Sequence, residues 1–309
     1  MQTESILQKI NHPLFEKHQL TVLIKRDDSI HPIISGNKWR KLKYNLLYAK
    51  KHHYTGVLSF GGSFSNHIHA LAYSCQQQGL KSTAIIRGEK EYASNYTLSM
   101  AQQWGMELQF VDRKTYRLRE NDDYLAELQQ VYPDYLIVPE GGSNTLALIG
   151  VGEVITELNR QCEFDTLLTP VGSGGTLAGL IMADDNRHKL LGVSVLKQDG
   201  YLETQVNSLL GESCSFNNWQ ILPDFHRGGY AKFNAEDAQR ILSFNKVTGF
   251  IFEPVYSGKM ILALLDLIEQ AYFPSGHRIV LLHTGGLQGI GGMVERNLLS
   301  ADDWTLPEF

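Results

Sequence analysis

Cysteine and long hydrophobic runs are what this 309-residue chain most conspicuously lacks. Its three cysteines, Cys75, Cys162 and Cys214, are odd in number, widely spaced and form no CxxC pair. They read as reduced thiols in a cytoplasmic protein. No stretch approaches about eighteen uninterrupted apolar residues, which rules out a membrane span. Met1 to His18 carries acids, histidine and proline where a signal peptide needs an apolar centre. Basic residues number 28 against 33 acidic ones, a formal charge of −5. With no dense basic cluster, a nucleic-acid surface is not expected. Internal repeats and low-complexity linkers are also missing.

What is present is the composition of a globular enzyme-sized chain, 43% hydrophobic and 20% charged with 28 Gly and 9 Pro. That balance argues against a disordered, collagen-like or coiled-coil protein. The length allows about two domains and lets the fold bury roughly three quarters of its unfolded surface. Several segments share one pattern: a short apolar run, a glycine-rich turn, then a helical pattern. Gly56 to Phe60 runs into Gly61-Gly62-Ser63-Phe64-Ser65-Asn66, and His67 to Gln78 reads as helix closed by Gly79. Asp165 to Pro170 runs into Gly172-Ser173-Gly174-Gly175, with helix from Thr176 to Ala183. Arg278 to Leu282 runs into His283-Thr284-Gly285-Gly286, and Ser82 to Ile86, Glu107 to Val111 and Tyr135 to Val138 read as further strands. Lys41 to His52 and the strongly apolar Met260 to Tyr272 read as helices. Strands alternating with helices imply βαβ units, hence an α/β fold with parallel sheets covered on both faces. Ligands in such sheets bind beyond the carboxyl ends of the strands, where the glycine turns fall.

The turn Gly172-Ser173-Gly174-Gly175-Thr176 has the makings of a phosphate cradle. Glycines let backbone approach closely, and the first helical turn offers free N–H groups. Ser173 and Thr176 add hydroxyls, yet Leu177 breaks GxGxxG and no lysine follows as in a Walker loop. An ordinary tight strand–helix turn is the plain alternative. Lys38, in Ser35-Gly36-Asn37-Lys38-Trp39-Arg40-Lys41, stands just before a helical stretch. Burial and neighbouring cations would lower its pKa as a covalent amine catalyst requires, whereas a solvated helix start is its plain reading. His67 and His69 form an HxH pair, with His52 and His53 nearby in sequence. Residues two apart on a helix point about 200° apart, so no metal site is expected. Gly141-Gly142-Ser143 reads as a loop at a cleft entrance or as a structural turn.

Five motifs in one order carry a resemblance: the Lys38 segment, Gly61 to His67, Gly172 to Thr176, Pro254-Val255-Tyr256-Ser257-Gly258-Lys259, and His283 to Gly286. From about Leu20 to Gly289 the chain resembles the pyridoxal-phosphate enzymes that include D-cysteine desulfhydrase and 1-aminocyclopropane-1-carboxylate (ACC) deaminase, within the tryptophan-synthase-β superfamily. The resemblance implies two α/β domains with the cofactor, pyridoxal 5′-phosphate (PLP), in the cleft between them. Residues 1–43 and 151–309 would form the larger PLP-binding domain and 44–150 a smaller inserted one. It implies that Lys38 holds the cofactor covalently and moves the Cα proton. Asn66 would bond the ring hydroxyl oxygen, and Ser65, Asn66 and the His67 backbone would take the substrate carboxylate. Gly172, Ser173, Gly174, Gly175 and Thr176 would cradle the phosphate, with Lys41 adding charge. Tyr256 matches the tyrosine against the pyridine ring, and Tyr230, in Gly228-Gly229-Tyr230, a second active-site tyrosine. Without the resemblance both would pass for half-buried aromatics.

The ACC deaminase pattern places Glu after the ring tyrosine, whereas this chain has Ser257. A neutral hydroxyl, from Ser257 or Thr284, partners the pyridine nitrogen more weakly than a carboxylate does. That suits β-elimination and disfavours cyclopropane opening. The expected activity is thus that of a PLP-dependent lyase acting on a small amino acid, most simply D-cysteine to pyruvate, hydrogen sulfide and ammonia. The D preference follows from the resemblance alone. Alternatives are ACC deamination to 2-oxobutanoate and ammonia, and a non-catalytic protein that binds a phosphorylated ligand. His67-Ile68-His69-Ala70 and Gln198 to Leu210 depart from the family pattern. A homodimer is implied, with a small amino acid as partner and neither nucleic acid nor membrane.

Overall fold

The computed structural model describes residues 4–34, 36–211 and 215–304, so Ser35 and Cys214 fall outside it. The described chain forms ten strands: β1 (Ile6–Ile10), β2 (Thr21–Arg26), β3 (Gly56–Gly62), β4 (Lys81–Arg87), β5 (Met106–Val111), β6 (Tyr135–Val138), β7 (Thr166–Val171), β8 (Lys189–Ser194), β9 (Trp219–Leu222) and β10 (Arg278–Leu282). Contacts divide it into two compact units. One takes in the chain up to His31, Gly36 and Asn37, and everything described from Val151 on; the other takes in Pro32–Ile34 and Lys38–Gly150. The first join thus falls between residues 37 and 38 rather than after 43. The reason is packing: Leu42, Leu46 and Ala49 of the helix Asn37–Lys51 share one apolar core with Val57, Ile68 and Ala84 of the second unit.

The first unit holds a six-stranded sheet in the order β1-β2-β10-β7-β8-β9. Only β1 with β2 is antiparallel; in the parallel part Leu281 sits between Ile24 and Leu168. Every residue of β7 is buried, the mark of a strand covered on both faces. The helix Ser257–Glu269 lies in the same core, with Met260 to Leu264 fully enclosed. A helix apolar on all sides has nowhere else to go. The second unit holds a four-stranded parallel sheet, β5-β4-β3-β6.

Each sheet has one place where chain order reverses. In the first unit β7 leads outward to β8 and β9, while β10 lies on β7's other side. In the second, β3 leads to β4 and β5, while β6 lies on β3's other side. Loops leaving the two neighbouring carboxyl ends diverge at such a point and open a crevice for ligands. The diverging loops are residues 172–176 and 283–286 in one unit, and 62–66 and 139–144 in the other. Among the described residues no helix is long and apolar enough to cross a membrane, and Cys75 and Cys162 are free thiols.

Candidate active site

In the first unit the turn after β7 is built for close approach. Gly174 has φ +74° and opens the helix Gly175–Asp184, whose first N–H groups lack intrahelical partners. A Cβ on Gly172 would meet the Tyr256 ring at 3.1 Å, and one on Gly174 would meet Val206 at 3.2 Å. A shallow polar recess is lined by Gly172, Ser173, Gly174, Thr176 and Tyr256. Asn37 Nδ2 donates to Thr176 Oγ1 at 2.8 Å, which leaves the threonine proton free to donate. Tyr256 Oη donates to Pro170 O at 3.2 Å, and burial raises its pKa, helped by Tyr230 and Glu253.

Two hydroxyls were expected to compete for one role, and their surroundings differ. Ser257 Oγ is fully buried and donates to Glu253 Oε1 at 3.0 Å while accepting from the Glu253 N–H at 3.3 Å. Thr284 Oγ1 is buried and has no hydrogen-bond partner. Its turn is set by His283, whose Nε2–H donates to Ile251 O at 2.7 Å while Nδ1 accepts the Gly285 N–H at 3.1 Å. Asn37 N donates to Thr284 O at 3.2 Å, so Asn37 joins the turn after β10 to the turn after β7.

Glu253 was not expected at the site, and His283 and Asn37, though inside the sequence motifs, carried no expected role. The Glu253 carboxylate accepts the N–H groups of Val255, Tyr256 and Ser257 at 2.6–3.0 Å and fixes the start of the helix that carries Tyr256. Burial pushes its pKa up to about 7, against those four donors with Ser257 Oγ included. Burial thus outweighs the donors, and near neutral pH the cap stands between its ionised and protonated forms. The one available sequence signal was an acidic residue set inside the apolar run Phe250 to Val255.

In the second unit Lys38 lies in the first turn of the helix Asn37–Lys51, not before the helix as the sequence suggested. Its Nζ donates to Gly141 O at 3.0 Å. Burial of the amine lowers its pKa to about 8, against the opposing pull of Glu140. Glu140 itself is engaged by Tyr116 Oη at 2.7 Å and Arg119 Nε at 2.6 Å. Lys41, one turn on and buried, donates to Ser143 Oγ at 3.0 Å. Its pKa lies well below the ordinary lysine value, from burial first and then from Lys38.

His67 is buried, and burial together with Lys38 and Lys41 holds it neutral. Ser59 Oγ donates to Val138 O at 2.7 Å, so it must accept from His67 Nε2 at 2.8 Å. Nδ1 then carries the lone pair and has no partner. Ser65 caps the helix Asn66–Gln78, its Oγ accepting from Ile68 N at 3.3 Å, and Asn66 is the first helical residue. His69 points instead into an aromatic cluster, edge-on to Trp104 at 4.7 Å. Among the described residues no group of three His, Cys, Asp or Glu side chains could hold a metal. Tyr230, in the first unit, is 57% exposed.

Each unit holds groups that fit part of a phosphorylated pyridine aldehyde. In the first unit the glycine turn offers donors to a phosphate and the orphaned Thr284 hydroxyl one contact to a ring atom; in the second the Lys38 amine can react with a carbonyl. Comparison with known proteins agrees. A family described as "Pyridoxal-phosphate dependent enzyme" matches residues 7–285. A putative 1-aminocyclopropane-1-carboxylate deaminase of Thermotoga maritima is 31% identical over 90% of this chain and 92% of that protein. A bifunctional D-cysteine desulfhydrase/1-aminocyclopropane-1-carboxylate deaminase, mitochondrial, of Arabidopsis thaliana is 28% identical over 91% of this chain and 76% of that one. The crystal structure of an ACC deaminase homologue superposes with a TM-score of 0.83 at 27% identity, covering 96% of this chain and 93% of the other.

Proposed function

The chain belongs to the pyridoxal-phosphate-dependent enzyme family, and from that premise we propose that it catalyses α,β-elimination on D-cysteine, taking up water and yielding pyruvate, hydrogen sulfide and ammonia. When bound, the cofactor supplies an electron sink for the Cα–H bond. The chain's own residues do the rest. Lys38 tethers the cofactor and, with an amine pKa near 8, moves the Cα proton close to neutral pH. Gly172 to Thr176 bind the phosphate, with Lys41 adding charge. Ser65, Asn66 and the His67 backbone receive the substrate carboxylate, Asn66 bonds the ring hydroxyl oxygen, and Tyr256 and Tyr230 border the ring.

One observation carries the choice of substrate. Thr284 Oγ1 is buried without a partner, whereas Ser257 Oγ is held by Glu253. Thr284 would then be the hydroxyl left to partner the pyridine nitrogen, a neutral group rather than a carboxylate. A weaker electron sink suits a leaving group as good as sulfide better than it suits ring opening. The second reading is ACC deamination, favoured by the Thermotoga and Arabidopsis relatives' names. Sulfide release from D-cysteine and 2-oxobutanoate release from ACC are to be measured side by side on the PLP-loaded enzyme, with L-cysteine and D-serine as controls. Sulfide from D-cysteine is expected to dominate; dominant 2-oxobutanoate would overturn the assignment. The same proposal makes the protein a cytoplasmic homodimer, tested by light scattering of the purified chain and by cell fractionation.

The Thr284 assignment has its own test. Thr284→Val keeps the shape and removes the orphaned hydroxyl. The cofactor-free protein should melt no lower than the wild type, because a buried polar atom without a partner has been removed. PLP affinity should fall by about three- to tenfold, the worth of about 1 kcal/mol of hydrogen bond. A lower melting point with unchanged PLP affinity would place Thr284 in the framework instead.

A further inference from the structure

Lys259 is a buried lysine to which the proposed chemistry gives no task. It is fully enclosed on the helix Ser257–Glu269, three residues beyond Tyr256. Its three hydrogen-bond partners are all backbone carbonyls: Gly229 O at 2.6 Å, His226 O at 2.8 Å and Val195 O at 3.5 Å. An ammonium removed from water and held by carbonyls alone costs free energy that an apolar side chain would not. The segment it grips is shaped by local bonds from Gly229 N to His226 O, Gly228 N to His226 Nδ1 and Lys232 N to Gly229 O, with Gly228 and Gly229 at φ +92° and +111°. Arg227 ties it to the same helix through Asp266, Nη2 to Oδ2 at 2.6 Å, whereas Lys259 holds the carbonyls on either side of Gly228, next to Tyr230. The next residue is Tyr230, close enough to Tyr256 to oppose its ionisation. One helix thus carries Tyr256 at its start and, one turn later, the cation that holds the loop bearing Tyr230.

We propose that Lys259 is a positioning residue that fixes Tyr230 against the cofactor site by clamping the carbonyls of His226 and Gly229. The inference rests on the reading of Tyr230 as an active-site tyrosine. Charged groups facing Lys259 are Glu253 and Asp237, which favour its ammonium form, and Arg227, which opposes it. Burial outweighs them and brings the amine to about 8, so the clamp should loosen as pH rises above that value.

The test is a double-mutant cycle on the PLP-loaded enzyme, joined to amide hydrogen exchange on the cofactor-free protein. Lys259→Met should lower kcat/KM by on the order of ten- to a hundredfold, the usual effect of misplacing a group by about 1 Å. In a Tyr230→Phe background the same change should cost less than about twofold, because what Lys259 positions is already gone. Lys259→Gln, which keeps a donor, should fall between wild type and Lys259→Met. In the cofactor-free protein Lys259→Met should speed exchange of the Gly229 and Lys232 amides, whose acceptors are the carbonyls of His226 and Gly229, and leave the helix Ser257–Glu269 unchanged. Equal losses in both backgrounds, or unchanged exchange at Gly229 and Lys232, would overturn the clamp. If the wild type turned over no amino acid, the proposed function would fail, and the exchange measurement alone would decide whether Lys259 anchors the loop.

Discussion

Replacing Lys38 with alanine is expected to abolish turnover, with a loss of at least the hundred- to ten-thousand-fold typical of a missing general base. The covalent tether goes with the same atom, so the true loss should exceed that range. Borohydride should fix PLP irreversibly to the wild type, adding its mass to the peptide containing Lys38, and leave Lys38→Ala unlabelled. Retained turnover or labelling elsewhere would refute the assignment of Lys38; a wild type that binds phosphate compounds but shows neither turnover nor labelling would be a phospho-ligand-binding protein without catalysis. Folding is not at risk. Burial lowers the Lys38 amine to about 8 from an ordinary 10.5, so between those values the unfolded chain holds more protons than the folded one. The group's contribution to stability therefore rises with pH across that window and is least favourable below about 8. Cofactor-free Lys38→Ala should accordingly melt no lower than wild type at pH 7 and should lack that rise. Only the neutral amine reacts with an aldehyde, so PLP capture by the wild type, followed by absorbance, should quicken as pH climbs through about 8.

Much of this architecture was legible from residue order, and where it was not the cause is physical. Strands β3, β4, β5, β6, β7 and β10 were expected from apolar runs ending in turns, whereas β1, β2, β8 and β9 were not. In β2 the run ends in Lys25 and Arg26, and Lys25 is buried only because Glu157 meets it at 2.6 Å and Ser5 O at 2.7 Å. No local pattern announces a partner more than a hundred residues away. The Lys38 helix was placed four residues late, from Lys41 rather than Asn37. Its start is secured by a distant acceptor, Thr284 O, which receives the Asn37 N–H. The glycine turns could be read because they are contiguous. The choice between Ser257 and Thr284 could not, since it depends on which hydroxyl Glu253 has already engaged.

The second large effect is expected at Gly36, where the Lys38 segment meets the turn after β10. Gly36 has φ +61°, and a Cβ built on it would stand 1.7 Å from Thr284 O and 2.6 Å from Gly285 N. Both obstacles are backbone, so no side chain can swing aside. Gly36→Ala therefore combines a left-handed residue with an overpacked contact, each costing about 1–3 kcal/mol, for a total of about 2–6 kcal/mol. Against a typical domain stability of about 5–15 kcal/mol that is a large fraction. Urea unfolding should show the loss directly, and PLP binding should fall with it, because relief of the clash must move either Thr284 or Asn37. Gly276→Ala separates the two contributions: its φ is +82° but nothing lies within 4 Å of the added carbon. It should lose only the conformational part, about 1 kcal/mol, and leave PLP binding intact. Equal destabilisation by the two substitutions would mean that the close approach of Gly36 to Thr284 contributes nothing, and with it the argument that this glycine lets Asn37 reach both turns would fall.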